Sequence, residues 1–157
     1  MAIHEMSFTR LLDAPADKLF RCWTTPDLIK QWFAPQPWTT PSAVMDVRPG
    51  GASIITMRSP EGQEMPNPGQ FLEVVPNRKL VFTDAFTGDW TPKDGAPFMV
   101  ATLTFEPVEG SPEGEKTRYT ATVRHWNEAD RARHEQMGFY PGWNKCTDQL
   151  EALAKTI

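Results

Sequence analysis

The spacing of hydrophobic residues changes twice along this chain of 157 residues, and each change marks a different kind of element. The first segment has the mixed alternation of a strand. From Ala43 onward apolar and polar residues alternate with a period of two, which is typical of strands that bury one face. The pattern predicts strands at Ile3–Leu12, Val44–Arg48, Ala52–Arg58, Gln70–Val75, Lys79–Phe86, Phe98–Phe105 and Arg118–His125.

Turn-forming residues separate these strands. Pro49-Gly50-Gly51 predicts a tight hairpin turn, because glycine accepts the positive φ that such turns need. Longer connections are predicted at Ser59–Pro68, Pro76-Asn77, Gly88–Pro97 and Glu109–Gly114. A run of strands joined by hairpins favours an antiparallel sheet.

A helical spacing of apolar residues follows the first strand. Pro15 and Pro26 each open a short helix, since proline is tolerated in a first helical turn. The apolar positions of these two helices are Leu19, Phe20 and Trp23, then Leu28, Ile29, Trp32 and Phe33.

A longer amphipathic helix is predicted at the C-terminal end, with Asn127 as its N-cap. Because Pro141 has no N–H to donate to the carbonyl of Met137, we expect the helix to kink or restart near Tyr140. Residues at steps of three or four predict one buried stripe: Met137, Tyr140, Trp143, Cys146, Leu150, Leu153 and Ile157.

This order of elements predicts an α+β fold, as a single domain over residues 1–157. A curved antiparallel sheet wraps around the long C-terminal helix, and the two short helices close one end. Since one helix cannot fill the concave face of such a sheet, we expect a cavity between them.

Composition narrows the classes of function. The net charge of -4, without clusters of Lys and Arg, excludes nucleic acid as a partner. No apolar run reaches the roughly 20 residues of a membrane span, and Met1–Ser7 has no signal-peptide core. Cys22 and Cys146 form no C-x-x-C pair, so we expect reduced thiols and a cytoplasmic protein. No spacing of histidines and cysteines predicts a metal, and no cofactor is expected.

Several short motifs together resemble one family. They are Trp32-Phe33 with Pro35, Asp46-x-Arg48 with Gly50-Gly51, Leu80-Val81-Phe82-Thr83, and Gly138 with Gly142-Trp143. In this order the chain resembles, over nearly its whole length, the homologues of the heat-shock-protein-90 ATPase activator, within the START-like, birch-pollen-allergen-like superfamily. The resemblance implies a helix-grip fold with a hydrophobic cavity and does not imply one activity. The co-chaperone that names the family also has a separate N-terminal domain, for which this sequence has no room, so we do not expect chaperone stimulation.

The candidate ligand-binding residues are aromatic, methionine and histidine side chains at apolar strand positions or on the helix stripes. They are Trp32, Phe71, Phe82, Phe86, Met99, His125, His134, Met137, Tyr140 and Trp143. Two further tryptophans, Trp38 and Trp90, lie in proline-rich loops and are candidates for covering the cavity mouth or a homodimer contact.

Charged and titratable residues leave alternatives open. His125 and His134 act either as an acid or base in the cavity or, more in keeping with isolated histidines, as structural hydrogen-bonding groups. Asp46 and Arg48 are expected to brace the Gly50-Gly51 turn or face solvent. A catalytic pair of Glu73 and Asp84 is disfavoured, because solvent exposure explains at least one of them more simply.

The leading hypothesis is a non-enzymatic domain that binds a hydrophobic or amphipathic small molecule. One alternative is a protein-interaction module of the co-chaperone type. Another is a cyclase- or hydrolase-like enzyme that uses a cavity histidine, although the sequence has no nucleophile elbow, phosphate-binding loop or dinucleotide fingerprint.

Overall fold

A computed structural model of the protein describes residues 3–109 and 115–157. Met1, Ala2 and residues 110–114 of the turn predicted at Glu109–Gly114 lie outside the described residues. The elements are β1 (His4–Leu12), α1 (Ala16–Thr24), α2 (Pro26–Ile29), β2 (Thr39–Met45), β3 (Ala52–Arg58), β4 (Glu64–Val75), β5 (Lys79–Thr83), β6 (Val100–Pro107), β7 (Thr117–His125), α3 (Glu128–Gln136) and α4 (Phe139–Ala154).

The described strands form one antiparallel sheet of seven strands in the order β1-β7-β6-β5-β4-β3-β2. Neighbours in sequence pair with each other from β2 to β7, and β1 joins the far edge by pairing with β7. Helices pack on one face of the curved sheet. The α+β helix-grip class predicted from the sequence is confirmed.

The core lies between the sheet and helices α1, α2 and α4. Helix α1 buries the three predicted apolar positions, Leu19, Phe20 and Trp23, together with Cys22, and α4 contributes the fully buried Leu150. Arg10 on β1 also holds α4 in place: its guanidinium donates to the Asn144 carbonyl at 3.0 Å and to the Asp148 carboxylate at 2.6 Å.

The strand predicted at Val44–Arg48 is displaced: β2 runs from Thr39 to Met45. Pro41 lies inside it, because β2 is an edge strand where the missing N–H breaks no ladder hydrogen bond. Residues 46–51 form the turn instead, in which Gly51 N donates to the Arg48 carbonyl at 2.8 Å.

The prediction of a loop over Ser59–Pro68 is wrong for its second half. Strand β4 begins at Glu64 and contains Pro66 and Pro68. This part of β4 pairs only with β3, and β5 joins it from Gln70 onward. The two prolines are accommodated where the strand has a free edge.

Strands β5 and β6 are shifted away from the segment that joins them. Phe86, predicted in the first of them, and Phe98, predicted in the second, both lie in the connection between Thr83 and Val100. The Asp84 carboxylate accepts the N–H groups of Phe98 at 2.8 Å and Met99 at 3.0 Å. The Asp84 side chain therefore takes the place of the backbone carbonyls that would accept these two N–H groups if β5 and β6 were longer.

The C-terminal helix restarts, as predicted, and the break lies at Gly138 in the left-handed conformation (φ 98°, ψ 36°). Pro141 falls in the first turn of α4, where its missing N–H costs no helical hydrogen bond. Met137, predicted in the buried stripe, is the C-cap residue that follows α3 and is 72% exposed, because the break turns it outward.

No helix among residues 3–109 and 115–157 is long and apolar enough to cross a membrane.

Candidate functional site

A cavity of about 370 Å³ lies between the sheet and the helices. Its walls come from β3, β4, β5 and β7 on the sheet side and from α1, the segment after α2, and the α3–α4 junction on the helix side. Most of the lining is aromatic or aliphatic. Asp84 is the one Asp, Glu, Lys or Arg residue among the described lining residues, and it lies near the connection between β5 and β6.

The structure brings six of the ten predicted ligand-binding residues to this cavity. They are Trp32, Phe82, Met99, His134, Met137 and Trp143. Met137 lines the cavity although most of its surface is exposed.

The other four predicted residues lie elsewhere. Phe71 is buried in the core. Phe86 packs on Trp90, with ring centroids 5.5 Å apart, in the connection between β5 and β6. His125 lies behind His134, and Tyr140 packs against Phe139 with ring centroids 4.9 Å apart.

Sequence reasoning missed several lining residues. Trp23 was placed on the apolar face of α1 but not in the site, and Tyr119 has the same strand parity as its buried neighbours on β7. The other missed residues lie on α4 within about one turn of Trp143, and they are Gly142, Cys146 and Thr147. The spacing on α4 contained a signal for these three, whereas the place of Trp23 depends on packing between distant segments.

One end of the cavity is a cluster of aromatic rings around Trp23. Its ring centroid lies 4.7 Å from that of Trp32 and 5.7 Å from that of Phe82. The Trp32 indole N–H donates to the Cys22 carbonyl at 3.1 Å, which fixes the second ring against α1. Gln149 on α4 then donates to the carbonyls of Trp32 and Ala34, both at 2.8 Å, and fastens this segment to the last helix.

Polar groups in the same region have partners within the protein. The Thr147 hydroxyl donates to the Trp143 carbonyl at 2.7 Å, and the Cys146 thiol donates to the Phe33 carbonyl at 2.9 Å. Burial raises the pKa of Cys146 to about 12, so the thiol stays protonated at neutral pH. The Trp23 indole N–H donates to the Tyr119 hydroxyl oxygen at 3.2 Å.

At the other end, His134 lines the cavity and His125 supports it from the end of β7. His125 Nε2 lies 2.9 Å from His134 Nδ1. The pKa of His134 is lowered to about 4, chiefly by burial and in addition by the neighbouring His125, while Asp84 acts in the opposite direction. Burial also lowers the pKa of His125. Both imidazoles are therefore neutral at pH 7.

The rings around His134 explain its burial. Phe98 and Phe139 lie with their centroids 4.6 Å and 5.1 Å from that of His134. The Arg133 guanidinium lies over the Phe98 ring, with its central carbon 5.5 Å from the ring centroid, and forms a cation–π contact. His134 therefore lines the cavity, and His125 lies behind it as its hydrogen-bonding partner.

The carboxylates Glu73 and Asp84 have separate partners. Glu73 pairs with Lys79 at 3.1 Å on the sheet surface. Asp84 accepts two backbone N–H groups, and its second oxygen is 3.9 Å from Lys93. Each therefore has a structural role in the described residues, and the arrangement does not resemble a catalytic carboxylate pair.

Asp46 and Arg48 brace the hairpin turn. Arg48 Nε donates to the Asp46 carboxylate at 2.7 Å. Nη2 of the same guanidinium donates at 3.1 Å to the carboxylate of Asp89, which lies in the β5–β6 connection. Trp90 lies over this turn, with its indole nitrogen close to Gly50. Neither Trp38 nor Trp90 is among the described lining residues of the cavity.

Comparisons with known proteins agree with this architecture. A family model described as "Activator of Hsp90 ATPase homolog 1-like protein" matches residues 13–155. No curated protein matches the chain.

Several solved structures have the same fold. The crystal structure of a protein from Nitrosomonas europaea is 37% identical, with a TM-score of 0.89 over 97% of this chain and 94% of that one. A Rhodobacter sphaeroides protein is 19% identical, with a TM-score of 0.81 over 98% of this chain and 93% of that one. An Arthrobacter aurescens protein is 21% identical, with a TM-score of 0.80 over 100% of this chain and 92% of that one. At such low identity, the last two show a common fold alone.

Proposed function

The chain belongs to the family of Activator of Hsp90 ATPase homolog 1-like proteins, and from that premise we propose that it binds a hydrophobic or amphipathic small molecule in the cavity between the sheet and its C-terminal helices. The observation that supports this proposal is the cavity itself. Its volume of about 370 Å³ is within the range of small-molecule sites, and its walls are mostly aromatic and aliphatic.

Hydrogen bonds within the protein hold the walls of the cavity in place. Trp32 is fixed by its hydrogen bond to Cys22, and Gln149 ties the segment after α2 to α4. A preformed apolar cavity binds more tightly than a flexible one, because less conformational entropy is lost on binding. Transfer of an apolar ligand from water into it contributes about 25 cal/mol for each Å² of apolar surface buried.

Native mass spectrometry of the freshly purified protein is the direct test. We expect an additional mass of a few hundred daltons, as for drug-sized ligands, which is lost when the protein is denatured. The fluorescent amine N-phenyl-1-naphthylamine serves as a defined probe, since its emission increases in an apolar environment.

Gly142→Leu is the variant that tests the same proposal, because it is designed to fill the cavity. Gly142 lines the cavity from α4, and a Cβ added there meets no atom within 4 Å. A leucine side chain is compatible with a helix and would occupy the free space. We expect probe binding to be lost in this variant and retained in Lys145→Leu, which places leucine on the exposed side of the same helix. Equal probe binding by the wild type and Gly142→Leu, or no binding by the wild type, would contradict the proposal.

A further inference from the structure

The hydroxyl group of Tyr119 has one hydrogen bond and the capacity for a second. Its oxygen accepts the indole N–H of Trp23 at 3.2 Å. A phenol is also a donor, and no acceptor for its hydrogen is present among residues 3–109 and 115–157. Tyr119 is only 1% exposed, so water at the protein surface does not supply that acceptor.

The roles within this hydrogen bond are fixed by chemistry. The indole nitrogen of Trp23 is a donor only, so the Tyr119 oxygen must accept and its hydrogen must point to another group. Burial raises the pKa of Tyr119, which therefore keeps its proton at all physiological pH values. The ring is positioned by Phe8 and Phe105, whose centroids lie 6.4 Å and 5.6 Å away.

Both partners of this hydrogen bond line the cavity. The Cys146 thiol and the Thr147 hydroxyl of α4 also line the cavity, but they donate to the carbonyls of Phe33 and Trp143, and neither forms a hydrogen bond with the Tyr119 hydroxyl. A buried donor without an acceptor destabilises a folded protein, and such groups are uncommon. Because Tyr119 is a lining residue of the cavity, we infer that a ligand bound there provides the missing acceptor.

The charge of the lining limits what that acceptor is. The described lining residues contain no Lys and no Arg, and the single ionisable carboxylate among them, Asp84, repels anions. His134 is neutral at pH 7. A carboxylate or phosphate ligand would lose its hydration in this cavity without gaining a cationic partner, which is strongly unfavourable.

We propose that the ligand is an uncharged, largely apolar carbonyl compound, and that Tyr119 donates a hydrogen bond to its carbonyl oxygen. This inference rests on the proposed function, and it names the chemical class of the ligand. It distinguishes this cavity from one that carries fatty acids or other anions.

Three compounds with one ring skeleton test the inference: fluorene, 9-fluorenone and fluorene-9-carboxylate. Their affinities are measured by displacement of N-phenyl-1-naphthylamine or by quenching of the cavity tryptophans. We expect fluorenone to bind about five- to ten-fold more tightly than fluorene, the range of one neutral hydrogen bond. The carboxylate should bind more weakly than either. Fluorenone is the more polar of the two neutral compounds, so without a donor in the cavity it would bind more weakly than fluorene.

The variant that removes the donor is Tyr119→Phe, and Tyr140→Phe is its control, since Tyr140 is outside the cavity lining. The ratio of fluorenone to fluorene affinity should fall to about one or below in Tyr119→Phe and stay unchanged in Tyr140→Phe. Fluorene has no acceptor, so unchanged fluorene binding shows that the Tyr119→Phe cavity is intact. The comparison of fluorene with fluorenone in the wild type requires no variant to fold.

The outcomes separate the two proposals. If fluorene and fluorenone bind equally in the wild type, or if Tyr119→Phe keeps the preference, the role of Tyr119 is wrong while binding in the cavity stands. If the carboxylate binds as tightly as the ketone, the restriction to uncharged ligands is wrong. If none of the three compounds binds, the proposed function itself is contradicted, and this inference with it.

Discussion

Nε2 of His125 and Nδ1 of His134 lie 2.9 Å apart, and this contact joins the last strand to α3 at the edge of the cavity. Groups from several elements surround the pair: Phe98 from the β5–β6 connection, Phe139 from α4, and the charged side chains of Asp84, Asp130 and Arg131. Protonation of either imidazole would place a positive charge among apolar rings. The pair therefore makes the stability of this region depend on pH.

We expect the free energy of unfolding to decrease as the pH falls from about 6.5 toward 5. In the folded protein the pKa of His134 is about 4 and that of His125 is also lowered, whereas in the unfolded chain both are near 6.5. The unfolded chain then binds more protons in this range, and each extra proton costs about 1.4 kcal/mol of stability per pH unit at most. Urea unfolding at pH 7, 6 and 5 measures the slope.

His134→Gln is the control for this prediction, since an amide keeps a hydrogen bond to His125 and does not titrate. Its stability should change less between pH 7 and 5 than that of the wild type. An equal slope in the two proteins would assign the pH dependence to other groups.

Gly51→Ala is expected to destabilise the protein by about 3 kcal/mol or more, in the range of strongly disruptive substitutions. An added Cβ would overlap the carbonyl oxygen of Asp46, and backbone cannot move away as a side chain can. Gly142→Ala is the matched comparison on α4, where open space and helix propensity predict a gain of about 0.5–1 kcal/mol. Thermal unfolding of both variants tests the pair, and a Gly51→Ala protein as stable as the wild type would contradict the geometry of this turn.

Gly138→Ala should lower stability by about 1–2 kcal/mol, because the residue has a φ of 98° that a side chain disfavours. The space around Gly138 is open, with only the Pro141 ring at 3.9 Å, so the expected cost is conformational rather than steric. Gly138→Asn should lose less, since asparagine tolerates the left-handed region. Denaturant unfolding of the two variants should give this order, and the opposite order would exclude backbone conformation as the cause.

Cys146 should react slowly with thiol reagents in the native protein. Its pKa of about 12 leaves roughly a thousandth or less of the thiolate that a free cysteine has at pH 8. Because Cys146 lines the cavity and Cys22 is fully buried in the core, a small reagent such as methyl methanethiosulfonate should modify Cys146 first. Peptide mass analysis identifies the site. N-phenyl-1-naphthylamine should protect Cys146, and modification unaffected by the probe would contradict its binding in the cavity.

The sequence predicted those parts of the fold that depend on local pattern. Strand β3 matches its predicted bounds, Ala52–Arg58, because Gly50-Gly51 marks the turn before it. The start of β4 was missed because proline usually argues against a strand, and only the strand pairing shows that β5 leaves the edge of β4 free at Pro66 and Pro68. The break at Gly138 was placed two residues late, near Tyr140, since the missing N–H of Pro141 was considered and the left-handed glycine before it was not.

The site was less predictable than the fold because its residues meet across long stretches of sequence. The contact between Trp23 and Tyr119 joins a helix to a strand 96 positions away, and no local pattern contains it. The strand parity singled out Phe82, which lines the cavity, whereas Phe86 lies beyond the end of β5, where the Asp84 carboxylate accepts backbone N–H groups. His125 and His134 were singled out separately, and their direct contact depends on how α3 packs over the end of β7.

The break at Gly138 divides the helical wall of the cavity into two parts of unequal stability. Helix α4 fully buries Phe139, Thr147, Leu150 and Ala154, whereas no residue of α3 is fully buried, His134 being partly buried. Unwinding α3 would expose little apolar surface, so its amide hydrogens should exchange with solvent well before those of α4. A molecule held in the cavity would then leave through a local opening of α3, and its residence time would be set by that opening while the rest of the protein stays folded.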